Sequence, residues 1–375
     1  MLTFIPSQKL EKALKSLHEQ ISVHANFLNS LTNEEKSWLH KSALISSIGA
    51  STRIENAILT DVEIEWVDTE LTNDGKTTAF EEKKSFILNK LSQDRERSVE
   101  EVVGCRAVLS VIYLQADELF PLTEASLRGL HKVMLSYYPA AERYAGGYKT
   151  SPNRVVSQNH DTGEQRTVLE PTPPGPLTEA AMRDLMSWYN ETVQEYPWPI
   201  LVATEFVFRF LAIHPFQDGN GRLGRALFVL SLLQSEDAKL AEVMRYISID
   251  RQIERHRIHY YSVLRQTSDG QFRANPLDYD WEPLAWFFLK MTESALNDIE
   301  VLHQRFMAMQ KLSENALTIL ACFKSSPERL LQVADLTRET GIVRRTVQNT
   351  LKNLVKEGFL QQRGSGPASR YQLVF

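Results

Sequence analysis

The chain has 375 residues, 43% of them hydrophobic, which suffices to bury a large core spread over two or three domains. A net charge of -5 and a pI near 6.0 exclude a protein whose whole surface coats nucleic acid or an anionic membrane. Cys105 and Cys322 lie far apart with no CxxC neighbour, which argues against a disulfide framework or metal knuckle and for free thiols in a reducing compartment. The N-terminus lacks a basic segment followed by an apolar one, and no run approaches the ~18 apolar residues of a membrane span. The expected location is therefore the cytoplasm, with no membrane partner.

From Ser7 to about Ala57, apolar residues recur every three or four positions (Leu10, Leu14, Leu17, Ile21), the pattern of amphipathic helices. Thr32 and Asn33 ahead of Glu34 and Glu35 read as a capped helix start. Asp68 to Lys76 is polar and contains Asn-Asp-Gly, which predicts a loop. Helices are expected over Glu100 to Leu114 and Leu122 to Tyr138. From Gly146 to Pro176 the chain is rich in Gly and Pro. There the β-prone pieces Arg154 to Val156 and Thr167 to Leu169 flank His160-Asp161-Thr162-Gly163, the signature of a small hairpin. Helices resume over Leu177 to Gln194 and Ile200 to Ile213, and continue to about Lys311.

The last segment has a different pattern, with helices over Asn315 to Phe323, Leu331 to Thr340 and Val343 to Lys356, and strands over Phe359 to Gln362 and Arg370 to Val374. Three helices and a hairpin are the layout of a winged helix-turn-helix. The expected fold is mainly α: a helical core with a small hairpin flap, then this module. The domains are placed at 1–95, 96–310 and 311–375. Residues 311–375 carry a net +5, leaving -10 on the rest. That asymmetry fits a DNA-contacting appendage, with Arg344, Arg345, Thr346 and Gln348 opening the third helix. Winged helices also dimerise or dock proteins, so a homodimer stays open beside DNA.

The chemistry concentrates in Ile213-His-Pro-Phe-Gln-Asp-Gly-Asn-Gly-Arg-Leu-Gly-Arg225. Pro215 ends the upstream helix at His214, and the next helix can begin near Gly221. Between them Asp218, Gly219, Asn220 and Gly221 can offer backbone N–H groups at a helix N-terminus, a cradle for phosphate. Arg222 and Arg225 share a helix face, and two forked donors suit a polyphosphate. Asp218 is a hard oxygen ligand for Mg²⁺. His214 can take a proton from a hydroxyl near neutral pH.

This string resembles the signature of the Fic family, His-x-Phe-x-(Asp/Glu)-Gly-Asn-Gly-Arg-x-x-Arg, at every specified position. The similarity extends over roughly Glu100 to Leu289. It includes Gly147-Tyr148-Lys149 at the entrance of a flap and His256 to Leu264, like the family's Arg-x-x-Tyr-Tyr helix. Val207 and His256 depart from many relatives, the second at a position tied to base recognition. The resemblance implies transfer of AMP from ATP to a Tyr, Thr or Ser hydroxyl of a target protein, or of the chain itself, with pyrophosphate leaving. His214 would be the general base, and Asp218 would hold Mg²⁺. Gly219, Asn220, Gly221, Arg222 and Arg225 would hold the phosphates, and Phe216 would anchor the loop. Tyr260 and Val155 would meet the nucleotide or the target. Relatives that transfer UMP or remove AMP share the loop, and a nucleotide-sensing, DNA-binding regulator is the reading from another class.

Ser51-Thr-Arg-Ile-Glu55-Asn56 matches a second family signature, (Ser/Thr)-x-x-x-Glu-(Gly/Asn), carried by an inhibitory helix. The implied role is for Glu55 to pair with Arg225 where the γ-phosphate would sit. The alternative is that Glu55 is a solvated charge at a helix end.

Overall fold

A computed structural model describes residues 1–73, 76–77, 80–91, 95–158, 165–324, 329–366 and 369–374. The chain opens with helices α1 (Gln8–Ser30), α2 (Asn33–Ile54) and α3 (Asp61–Leu71), a two-residue ladder of β1 (Thr72–Asn73) with β2 (Lys76–Thr77), and helices α4 (Phe80–Lys90), α5 (Glu96–Gln115) and α6 (Glu124–Leu135). The hairpin of β3 (Val155–Gln158) and β4 (Gln165–Leu169) follows, then helices α7 (Pro176–Thr192), α8 (Pro199–Ile213) and α9 (Asn220–Leu233). Helices α10 (Ala238–Met244), α11 (Ile249–Arg255), α12 (Arg257–Ser268) and α13 (Glu282–Gln310) complete the helical body. Helices α14 (Glu314–Lys324), α15 (Val333–Thr340) and α16 (Arg344–Lys356) with strands β5 (Leu360–Arg363) and β6 (Arg370–Leu373) form the winged module. The fold is mainly α, as its patterning predicts.

Two compact units result, one of Met1–Ala57 with Glu100–Ile299, the other of Ile58–Val99 with Glu300–Phe375. In the first unit, α8 is buried on nearly every face, from Ile200 to Ile213, as expected of a helix apolar all round. α9 packs on it closely because Gly224 has no side chain: a Cβ there would lie 3.2 Å from Leu211. α2 lies against α11, and its buried face carries small residues (Ser47, Gly49, Ala50, Ser51) that permit the approach. A paired Arg53 and Glu254 clasp the two helices, with Nε to Oε1 at 2.6 Å and Nη2 to Oε2 at 3.1 Å.

The second unit holds its own apolar core, in which Ile319, Phe323, Leu336, Val347, Leu351 and Leu354 from α14, α15 and α16 meet Leu360 and Tyr371 of the wing. Leu331 exchanges backbone hydrogen bonds with Tyr371, tying the start of the helix-turn-helix to the hairpin.

The structure corrects one expectation in this unit. Asp68 to Leu71 is helical: the capping box of Thr60 and Glu63 starts α3, and buried Ile64, Val67 and Leu71 hold it in place. The Asn-Asp-Gly turn lies partly outside the described residues. The His160-Asp161-Thr162-Gly163 tip of the flap lies wholly outside them.

Candidate active site

α8 stops where Pro215 forbids another helical turn, and His214 takes up the strain with φ 52° and ψ 57° in the left-handed region. Its backbone N–H still bonds to Phe210 O at 2.8 Å, so the ring leaves the helix end in a defined direction. Nδ1 lies 3.3 Å from Leu211 O. A carbonyl can only accept, so Nδ1 carries the proton and Nε2 keeps the lone pair a base needs. Burial, helped by the neighbouring Lys149 charge, lowers the pKa of His214 to about 4, so the ring is neutral at pH 7.

The loop beyond is rigid for reasons that lie in its side chains. Phe216 is fully buried and stacks on His131 of α6, ring centroids 3.8 Å apart and planes 7° from parallel. His131 Nδ1 accepts from Gly146 N–H at 2.9 Å, which leaves the Nε2 proton for Asp218 O at 2.9 Å. Asn220 spends its amide on the Phe216 peptide, accepting from its N–H at 2.9 Å and donating to its carbonyl at 2.7 Å. The Asn220 side chain thus staples the loop, and what it leaves for an anion is its backbone N–H. Gly219 is favoured because its φ of 79° is one that L side chains rarely adopt, and a Cβ would in addition press on the Met134 methyl at 2.6 Å.

The start of α9 leaves the N–H groups of Asn220, Gly221 and Arg222 without intrahelical acceptors, and the helix dipole adds partial positive charge there. Glu55 has delivered its carboxylate to this spot. A Cβ built on Gly221 would sit 2.1 Å from Glu55 Oε1, and the same oxygen accepts from Arg225 Nη2 at 3.0 Å. Arg225, 3% exposed, is further held by Nε to Ser51 Oγ at 3.0 Å, by Nη2 to Ser51 O at 2.7 Å and by the Asp250 carboxylate at 3.3 Å. Burial opposes its charge, but Glu55, Tyr260 and Asp250 outweigh that and raise its pKa further. Asn56 follows with φ 76°, a conformation Gly and Asn tolerate best, which accounts for the residue type after Glu55.

A neutral histidine, a helix start with free N–H groups and a carboxylate lodged against it thus share one unit, and residues 121–232 match the Fic/DOC family model. These residues form a Fic domain. Residues 314–364 match the IclR helix-turn-helix domain. The chain is 23% identical over 227 residues to the protein adenylyltransferase Fic of Drosophila willistoni, covering 60% of itself and 39% of that protein. With the protein of the same name from Drosophila mojavensis it shares 24% over 264 residues, covering 68% of itself and 46% of the relative. The chain therefore spans less than half the length of these curated relatives. A Fic family protein from Desulfovibrio desulfuricans has a similar fold, with TM-score 0.56 at 19% identity over 100% of this chain and 98% of the other. A Fic domain containing signaling protein from Bacteroides thetaiotaomicron has TM-score 0.56 at 22% identity, over 77% and 98%.

Within the Fic domain the two arginines do not share a partner. Arg222, as buried as Arg225, lies with Nη1 3.5 Å from Glu101 of α5 and Nη2 3.4 Å from Asp218. The physical reason is that each guanidinium withdrawn from water needs its own counter-charge. Asp218 Oδ1 also takes the Gly219 N–H at 2.6 Å. Among the described residues no cluster of three or more His, Cys, Asp or Glu is placed to hold a metal. A partly exposed carboxylate such as Asp218 fits the chemistry of Mg²⁺, an ion that draws most of its ligands from substrate phosphates and water.

Tyr260 is buried beside Arg225, whose charge partly offsets the rise that burial gives the phenol's pKa. Val155 opens the flap strand β3 opposite Leu169. The sequence reading passed over His131, Glu101 and Asp250, because a lone His or carboxylate on an amphipathic helix carries no local signal of the distant partner that gives it a role. No helix is long and apolar enough to cross a membrane among the described residues.

Proposed function

We propose that the chain is a protein adenylyltransferase of the Fic type, held in an inhibited state by its own Glu55. The observation that carries this reading is the Glu55 carboxylate lying over Gly221 and bonded to Arg225, because a carboxylate occupies that place only where the site is built for an anion. In the reaction, the oxygen of a target Tyr, Thr or Ser attacks the α-phosphorus of ATP, the bond to the β-phosphate bridging oxygen breaks, and pyrophosphate leaves. His214 Nε2 takes the hydroxyl proton, and its low basicity is offset by the activation of the hydroxyl as the new bond forms. The N–H groups of Asn220, Gly221 and Arg222 receive phosphate oxygens, and Arg225 exchanges Glu55 for the γ-phosphate. Asp218 would hold Mg²⁺, which when bound with the nucleotide neutralises phosphate charge. The flap, with one edge of β3 unpaired by β4, would take the target segment as an added strand past Val155.

Incubation of the protein and its Glu55→Gly variant with labelled ATP, UTP and GTP, read by the mass transferred to protein, tests this directly. Transfer of UMP, or release of AMP from a modified protein, would replace the assignment with another group on the same site. The winged module supports a second partner: Arg344, Arg345, Gln348 and Lys352 are exposed on α16, the helix that would enter a DNA groove.

A further inference from the structure

A short segment at the entrance of the flap bonds four consecutive carbonyls of the catalytic loop. Lys149 Nζ donates to Ile213 O at 3.0 Å, and the Lys149 backbone N–H donates to Pro215 O at 2.8 Å. Asn153 Nδ2 donates to His214 O at 3.3 Å and to Phe216 O at 2.7 Å. Lys149 Nζ also donates to Asn153 Oδ1 at 3.0 Å, so the two side chains act as one piece. Lys149 is only 3% exposed, and a bridge between Tyr148 and Phe216 fastens the same segment beside it. A helix end leaves its last carbonyls without partners and carries partial negative charge, so a buried ammonium at the end of α8 satisfies both needs. The left-handed turn at His214 is the strained point of the loop, and its carbonyl and both neighbouring carbonyls are clamped from the flap side.

We propose that Lys149 and Asn153 are positioning residues that hold His214 in its working geometry from the base of the flap, so that the strand that takes the target and the base that deprotonates it are set by one rigid segment. This rests on the transferase reading for its consequence and on the hydrogen bonds for its geometry. Both side chains direct their polar atoms to the loop's carbonyls and to each other. A target docking on β3 would load the segment from Thr150 to Val155, whose other end is the clamp on His214. The charged groups acting on the His214 ring are Lys149, Glu55 and Asp218, and Lys149 is the one that opposes its protonation. Burial alone holds the Lys149 amine down to about 8, still mostly charged at pH 7.

The test uses the full chain carrying Glu55→Gly, with Lys149→Met, Lys149→Arg and Asn153→Ala added one at a time. Lys149→Met and Asn153→Ala are expected to lower kcat roughly tenfold to a hundredfold while KM for ATP stays within about twofold, since the phosphate cradle is untouched. Lys149→Arg, which keeps a cationic donor, should recover most of the loss. By NMR, the His214 ring should titrate at higher pH in the Lys149→Met protein than in its parent, and the backbone signals of 213 to 216 should shift in both loss variants. A kcat within twofold of the parent in both, an arginine variant as impaired as the methionine one, or KM for ATP rising in step would overturn the proposal. If the parent transfers nothing, the adenylyltransferase reading fails on its own. The NMR arm then decides the positioning claim, with an unmoved His214 titration and unmoved loop signals counting against it. Should Lys149→Met not fold, Asn153→Ala carries the kcat, KM and backbone-signal readouts.

Discussion

Replacing Glu55 by Gly removes one charge-assisted hydrogen bond, the 3.0 Å contact from Arg225 Nη2, and frees the N-terminus of α9 for phosphate. A hydrogen bond to a charged group contributes roughly 1.5 to 3 kcal/mol, and each 1.4 kcal/mol is a factor of ten, so transfer should rise about tenfold to a hundredfold. Glu55 is about a third exposed, which screens the pair and favours the lower half of that range. The freed arginine does not wander, because Ser51 still takes two of its hydrogen bonds and Asp250 stays 3.3 Å away. α2 also stays docked through Arg53 and Glu254, and glycine at a helix end costs little. The assay is the initial rate of label transfer from ATP, to added protein and to the chain itself, at matched enzyme concentration. Arg225→Ala should be inactive with or without Glu55→Gly, since relief of inhibition is useless without the phosphate clamp. Equal rates for the parent and the Glu55→Gly protein, while His214→Ala abolishes transfer, would refute the inhibitory assignment.

His214→Ala is expected to abolish transfer and leave ATP affinity within about threefold by calorimetry, because the ring acts on the attacking hydroxyl alone. A base must be deprotonated, and this one is held near pKa 4, so kcat/KM should fall only as pH drops toward 4, well below the limb near 6.5 of an unperturbed imidazole. Asp218→Ala should lower transfer at least tenfold and flatten its dependence on Mg²⁺ concentration; an unchanged metal response would point to another ligand. Gly221→Ala places a methyl 2.1 Å from Glu55 Oε1, so it should expel the carboxylate yet fail to activate, since the same methyl fills the phosphate site. Transfer by that variant above the parent rate would contradict the placement. For the winged module, Arg344→Ala with Arg345→Ala should make the salt dependence of binding to duplex DNA shallower by about two units of log K per log salt, measured by fluorescence anisotropy. An unchanged slope would remove α16 from the contact.

The order of elements was legible because apolar spacing, caps and prolines act locally. The spans read for α7, α8 and the winged module agree with the structure to within a few residues, and Pro215 alone dictates where α8 must stop. Asp68 to Leu71 was misread because a capping box eight residues upstream and burial of Leu71 outweigh a polar composition.

The twelve residues from His214 to Arg225 likewise carried a local expectation of an anion cradle beside a histidine, since glycines and arginines at a helix start favour anions. What only the tertiary structure decided is which partner each group keeps. The Asn220 side-chain amide staples Phe216. Arg222 and Arg225, one turn apart, take counter-charges from different helices. Glu55 lies 170 positions from Arg225, and His131 lies 87 from Asp218. No periodicity encodes such distances, because burial sets the demand for a partner while the packing of α2, α6 and α11 around α9 determines which residue can meet it.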